Sequence, residues 1–131
     1  MTVINGIEID DITYIPNEVK KAIKKNKKIM RKLLTICENA KKTLSTNTIA
    51  QMNIDNFYNN IDLNMSITKS KFEELCNSLF IKSLEPIQRA LTDSKLSTKD
   101  INDVVLIGGS TRIPKIQDLL NELFPNKLKT N

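Results

Sequence analysis

The stretch DVVLIGGSTRIPKIQDLL, residues 103–120, joins an apolar run, two glycines, a hydroxyl pair and an arginine within one short span. Its first apolar residues, 104–107, do not alternate with polar ones, which predicts a strand buried on both faces. A helix is predicted to follow over residues 112–124, with Ser110 or Thr111 as its N-cap. Glycines at such a turn let a ligand approach the backbone, and the positive end of the helix dipole favours an anion. The stretch therefore predicts either an anion site or an ordinary tight turn, and a double glycine by itself favours the ordinary turn.

The composition is that of one soluble globular domain. The chain has 131 residues, of which 40% are hydrophobic and 27% charged, and this length is enough to bury one core. No apolar run approaches the ~20 residues of a membrane helix, and the N-terminus lacks the pattern of a signal peptide, so we expect a cytoplasmic protein with no membrane partner. Cys37 and Cys76 are then expected to be buried, reduced thiols. Histidine is absent, which argues against a zinc site.

The net charge of +5 is concentrated in one segment. Residues 16–45 contain ten Lys and Arg residues against Glu18 and Glu38. Such a segment can attract nucleic acid or an acidic partner, but a solvated helix face is the simpler explanation. No aromatic side chain is interleaved with the lysines to stack on bases, so nucleic acid is the least favoured partner.

Hydrophobic spacing predicts a mixed α/β fold. A long amphipathic helix of about seven turns is predicted to follow Pro16, because apolar residues recur every three or four positions up to Leu44. The period changes to two over residues 50–67 and predicts an antiparallel hairpin with an Asn-rich turn. Thr68 is predicted to cap the next helix, and Pro86 to lie in the first turn of a second one.

A polar stripe lies near the end of the long helix. Its members are spaced by three, four and seven positions, so they share one helix face: Glu38, Lys41, Lys42 and Ser45. The stripe is mixed in sign and rich in hydrogen-bond donors, which suits a ribose and a base edge. Ordinary ion pairing between neighbouring helical turns explains the same pattern, and the spacing by itself favours that explanation.

Four segments resemble the seventy-kilodalton heat-shock protein (DnaK-type) chaperones, in the family's order. They are CENAKKTLS at 37–45, SITKSKFEELC at 66–76, LEPIQRAL at 84–91 and VVLIGGSTRIPKIQ at 104–117. The resemblance covers roughly residues 26–124. It implies a partial actin-like ATPase domain made from the second lobe: a long helix, an antiparallel hairpin, paired helices, a buried strand, the Gly-Gly turn and a C-terminal helix.

The resemblance also implies an organisation and a site. The organisation is a divergent arm (1–22), an upper subdomain of the second lobe (23–100) and part of its base with the GGSTR turn (101–131). In the implied site Gly108, Gly109 and Ser110 approach phosphates and ribose, and Arg112 and Ile113 cover one side of adenine. From the side of the upper subdomain, Glu38, Lys41 and Ser45 hold ribose and base. Lys42 occupies the position of a family arginine that stacks on adenine, and an ammonium stacks less well than a guanidinium.

Two hypotheses of function follow from the resemblance. In the first, the chain is part of an ATP-dependent chaperone, carries the adenosine half of an ATP/ADP site, and responds to nucleotide exchange factors and co-chaperones. In the second, it is a truncated homologue that binds chaperones or co-chaperones as an interaction module. Under both, the family's first lobe and phosphate loops are missing, so we expect no ATPase activity from this chain alone and Mg²⁺ only in a complete domain. Dimerisation through an exposed lobe surface is a further expectation.

Overall fold

The computed structural model describes residues 3–4, 7–8 and 17–130 of the chain. In chain order its elements are β1 (Val3–Ile4), β2 (Ile7–Glu8), α1 (Asn17–Lys25), α2 (Lys27–Thr43), β3 (Ile49–Tyr58), β4 (Ile61–Thr68), α3 (Lys69–Lys82), α4 (Glu85–Ser94), β5 (Val104–Leu106), a 3₁₀ helix (Gly109–Arg112), α5 (Pro114–Leu123) and β6 (Leu128–Thr130). The chain forms two compact units, residues 1–76 and 77–131, whose boundary falls within α3. The three-part division inferred from the resemblance stays a prediction.

The long N-terminal helix is divided at Asn26, where the sequence predicted one continuous helix. Asn26 has extended backbone angles (φ −90°, ψ 100°), and its side chain caps the next helix. The Asn26 Oδ1 atom accepts hydrogen bonds from the backbone N–H groups of Lys28 at 3.1 Å and Ile29 at 3.3 Å. An asparagine cap satisfies N–H groups that have no partner within the helix, so a second helix can begin here. The apolar spacing continues across the break and therefore did not predict it.

The hairpin of β3 and β4 follows the predicted pattern. In the antiparallel register Ala50 lies opposite Ile67 and Met52 opposite Met65, so one face carries apolar side chains on both strands. The turn is shorter than the predicted Asn-rich loop, because β3 continues to Tyr58 after a bulge. Asn59 and Asn60 then connect the strands, with φ values of 49° and 60°. Asparagine adopts positive φ more readily than most residues, which suits the tight turns of hairpins.

The core of the first unit forms between the helices and the hairpin. It contains the buried side chains of Ile23, Ile29, Leu33, Phe57 and Leu63. Complete burial of such a side chain contributes about 1.5–3 kcal/mol each relative to exposure. The face of α2 that packs here fixes which of its other residues face solvent, and so positions the polar stripe.

The second unit contains the strand-turn-helix segment of residues 103–120. β5 and β6 pair in parallel, with Val104 opposite Leu128. β5 is not buried on both faces: Leu106 is buried, whereas Val105 is 59% exposed, because within the described residues its sheet has only these two strands. Pro86 lies in the first turn of α4, as predicted.

Candidate functional site

Residues 108–113, here called the glycine turn, have a backbone geometry that requires glycine at one position. Gly108 has φ 112° and ψ 157°, a region that residues with a side chain rarely adopt. Gly109 follows as the first residue of the 3₁₀ helix, and α5 begins only at Pro114. The predicted helix start at residue 112 is therefore replaced by a short 3₁₀ helix and a break at Ile113, whose backbone is extended (φ −70°, ψ 119°).

An open cleft of about 390 Å³ lies at this turn. Its lining combines backbone and side chains of the turn with the end of β5: Leu106, Ile107, Gly108, Gly109, Thr111, Arg112 and Gln117. A Cβ atom placed on Gly108 or Gly109 would meet no heavy atom within 4 Å. The space beside both glycines is thus open, and a ligand can approach the backbone there. Ile107 is 79% exposed and gives the cleft an apolar side.

Two side chains hold the turn in shape. The Thr111 hydroxyl donates to the Gly108 carbonyl at 2.6 Å, and the Gln117 side-chain amide donates to the Thr111 carbonyl at 2.8 Å. Sequence reasoning named Thr111 only as an alternative cap for the following helix. It did not single out Gln117, since a glutamine one turn into a helix carries no signal that it binds back to the preceding loop. Neither Ser110 nor Thr111 caps α5, because no side-chain cap hydrogen bond forms at its start.

The polar stripe lies at the C-terminal end of α2. The Lys41 ammonium is 2.6 Å from one Glu38 carboxylate oxygen, and the Lys42 ammonium is 3.9 Å from the other. The hydrogen bond from Lys41 and the charges of both lysines hold the pKa of Glu38 below its ordinary value. Lys42 is the most exposed of the three, with 71% of its side chain accessible. Ser45 lies just beyond the helix, where its N–H donates to the Lys42 carbonyl at 3.2 Å.

Both cysteines are buried thiols, as predicted. Burial raises the pKa of Cys37. Burial also raises the pKa of Cys76, partly opposed by the positive charge of Lys41. A raised thiol pKa disfavours the reactive thiolate form at neutral pH, so these side chains act as parts of the core.

The predicted site residues divide into two sets, one in each compact unit. Glu38, Lys41, Lys42 and Ser45 belong to the first unit, where one helix end brings them together. The five residues from the glycine turn belong to the second unit, where the turn brings them together: Gly108, Gly109, Ser110, Arg112 and Ile113. Within the described part of the chain, no group of three acidic, cysteine or histidine residues is arranged to hold a metal ion.

A protein-family model described as Hsp70 protein matches residues 8–131 of the chain. The chain belongs to the Hsp70 family. This membership confirms the resemblance and the predicted fold class, a mixed α/β part of an actin-like ATPase domain. The match begins at residue 8 and so includes residues 8–22 of the N-terminal arm, whose divergence stays a prediction.

Curated Hsp70 relatives agree with the family model. The chain is 43% identical over 132 residues to the heat shock cognate 70 kDa protein 3 of Dictyostelium discoideum, covering 96% of this chain and 21% of that protein. It is 45% identical over 124 residues to the heat shock 70 kDa protein II of Paracentrotus lividus, covering 90% of this chain and 33% of that protein. It is 42% identical over 120 residues to a ribosome-associated molecular chaperone of Zygosaccharomyces rouxii, covering 88% of this chain and 20% of that protein. This Hsp70-family chain therefore spans between a fifth and a third of the length of these relatives.

Among the helices that the structure describes within residues 17–130, none combines the length and the hydropathy that crossing a membrane would require.

Proposed function

We propose that the chain is part of an ATP-dependent heat-shock chaperone and carries residues for the adenosine half of its ATP/ADP site. The observation that carries the proposal is the glycine turn: a cleft of about 390 Å³, bordered by two glycines whose Cβ positions are open. A phosphate or ribose can reach backbone at such a position, whereas a side chain would keep it away. The family resemblance supplies the identity of the ligand.

The turn offers groups suited to a nucleotide. Gly108, Gly109 and Ser110 are proposed to face phosphate and ribose. The guanidinium of Arg112 can stack on a purine ring or pair with a phosphate, because it is planar and permanently charged. Ile113 supplies an apolar surface for the base.

The polar stripe of α2 is proposed to contact the same class of ligand. Glu38 is ionised at neutral pH, since its pKa is lowered, so its carboxylate can accept hydrogen bonds from ribose hydroxyls. Lys41 and Ser45 offer donors. Lys42 is exposed and available to the base, but its ammonium is a weaker stacking group than an arginine, and we therefore expect weak affinity for adenine.

Hydrolysis of ATP is not part of the proposal for this chain by itself. Phosphoryl transfer requires a metal ion and a positioned water in line with the γ-phosphate, and the residues that the structure describes contain no cluster of metal-ligating side chains.

Exchange factors and co-chaperones are the proposed protein partners of the complete chaperone, and cytoplasmic location stays a prediction.

The proposal is tested by an amide NMR titration of the 131-residue chain with ADP. We expect discrete shifts over residues 108–113 and 38–45. The variant Gly109→Ala places a methyl group in the open space beside the cleft, so it should weaken ADP binding while the chain stays folded. Ser78→Ala, an exposed position of α3, is the matched control and should bind ADP like the unmodified chain.

Two results would contradict the proposal. A dispersed spectrum that ADP leaves unchanged would show that the fold exists without nucleotide binding, and the interaction-module hypothesis would then be preferred. Equal loss of binding in Gly109→Ala and Ser78→Ala would show that the glycine turn is not where ADP binds.

A further inference from the structure

Two side chains that the proposed nucleotide site does not use hold the glycine turn through its backbone carbonyls. The carbonyl of Gly108 accepts two hydrogen bonds from Thr111, one from the hydroxyl at 2.6 Å and one from the backbone N–H at 3.2 Å. The carbonyl of Thr111 accepts a hydrogen bond from the Gln117 side-chain amide at 2.8 Å. Both residues border the cleft, yet neither is among those proposed to contact ADP. They can therefore act on a ligand through the shape of the turn.

The turn needs such support because its first two residues are glycines. Glycine loses more conformational freedom on folding than any other residue, so Gly108 and Gly109 would sample many backbone conformations without an anchor. The bond from the Thr111 hydroxyl to the Gly108 carbonyl spans Gly109 and fixes the peptide plane that follows Gly108. A binding loop that is already ordered does not lose this freedom when a ligand binds, and its affinity is higher for that reason.

The bonds from Thr111 also change the charge that the cleft presents. The oxygen of a backbone carbonyl is partially negative, so a carbonyl without donors would repel a phosphate. A carbonyl oxygen can accept two hydrogen bonds, and Thr111 supplies both to Gly108. The segment proposed to face phosphate is thereby held with this carbonyl occupied.

Gln117 acts at the other end of the turn. The turn is separated from the helical part of α5 by Ile113, whose backbone is extended, and no side chain caps the start of α5. Gln117 lies one turn into α5, and its amide reaches back over this break to the Thr111 carbonyl. That carbonyl belongs to the peptide unit that joins Thr111 to Arg112, the residue proposed to stack on the base. Gln117 therefore fixes the position from which the Arg112 side chain extends.

We propose that Thr111 and Gln117 are positioning residues of the nucleotide site, Thr111 for the glycines that face phosphate and Gln117 for Arg112 at the base. The inference rests on the proposed function, because it requires that ADP binds at the turn. Neither residue needs to contact ADP itself. Both side chains are half-buried and lie outside the core, so replacing them should leave the fold intact.

The test measures dissociation constants for ADP and for adenosine by amide NMR titration of the 131-residue chain. Thr111→Val removes the hydroxyl at nearly the same shape and should weaken ADP binding by about three- to tenfold. Its effect on adenosine, which has no phosphate, should be smaller. Thr111→Ser keeps the hydroxyl and should bind ADP within about twofold of the unmodified chain. Gln117→Met removes the amide donor and should weaken ADP and adenosine by the same factor, about three- to tenfold, since both contain the base.

Matched variants on α4 control for the chemistry of each substitution. Thr92→Val removes a hydroxyl that also donates to a backbone carbonyl, that of Gln88 at 2.8 Å, and Gln88→Met removes an exposed amide. Both should bind ADP like the unmodified chain. Without ligand, the amides of residues 109–113 should exchange with solvent faster in Thr111→Val and Gln117→Met than in these controls, because the turn has lost a hydrogen bond.

Titration of the unmodified chain distinguishes failure of the proposed function from failure of the positioning roles. If ADP shifts no amides, the proposed function is wrong and the positioning roles fall with it. If ADP binds, but Thr111→Val binds it like Thr92→Val or Gln117→Met binds it like Gln88→Met, only the positioning proposal is overturned. Binding by Thr111→Ser as weak as that by Thr111→Val would overturn the role of the hydroxyl. Equal losses of ADP and adenosine affinity in Thr111→Val would overturn its placement at the phosphate end.

Discussion

Replacing each glycine of the turn by alanine separates backbone strain from steric contact. Neither added methyl group would meet a heavy atom within 4 Å, so the two variants do not differ in steric contact. Gly108 has φ 112°, and holding a non-glycine residue in such a region costs about 1–3 kcal/mol. Gly109 lies in a 3₁₀ helix with an ordinary φ, and alanine there should stabilise by about 0.4–1 kcal/mol by restricting the unfolded chain. We therefore expect Gly108→Ala to be the less stable variant by about 1.4–4 kcal/mol.

Amide hydrogen exchange measures this difference at the turn itself. A loss of 1.4 kcal/mol corresponds to about tenfold faster exchange, so amides of β5 and α5 should exchange between about five and 150 times faster in Gly108→Ala than in the unmodified chain. In Gly109→Ala the same amides should exchange as slowly as, or more slowly than, in the unmodified chain. Equal acceleration in the two variants would refute the reasoning, since it would show that the added methyl group, and not the φ of Gly108, causes the loss.

Two other predictions concern α2. The lowered pKa of Glu38 means that its ionised form stabilises the fold above the pKa of the unfolded chain, and this stabilisation is lost as the pH falls through the folded pKa. Lys41→Gln should raise the Glu38 pKa and reduce this acid dependence, as followed by NMR titration of the Glu38 carboxyl carbon; an unchanged pKa would show that Lys41 is not the cause. Asn26→Ala removes the cap that binds the Lys28 and Ile29 N–H groups and should lower the free energy of unfolding by about 0.5–2 kcal/mol, measured by urea unfolding. An unchanged unfolding midpoint would show that the cap does not stabilise α2.

The two parts of the candidate site, the polar stripe and the glycine turn, could be predicted from the sequence to different degrees. The polar stripe depends only on the helical period, and the structure places Glu38, Lys41 and Lys42 together at one helix end. The glycine turn was found from its two glycines, but its supporting bonds from Thr111 and Gln117 were not. A hydrogen bond from a helix side chain back to a loop carbonyl depends on how the loop folds, and residue spacing does not encode that.

The sequence by itself determined the family, the order of the hairpin, α3, α4, β5 and α5, and the faces of α2 and the hairpin, because local periodicity and an ordered set of motifs carry that information. Only the tertiary structure decided where elements divide and pair. The helix breaks at Asn26, but the spacing of apolar residues continues across this position, so the spacing does not predict the break. β6 is a short strand at 128–130 that exists through pairing with β5, and nothing in three consecutive residues predicts a partner 24 positions away. The exposure of Val105 follows from the same cause, since burial of a strand depends on what packs against it and not on its own hydrophobicity.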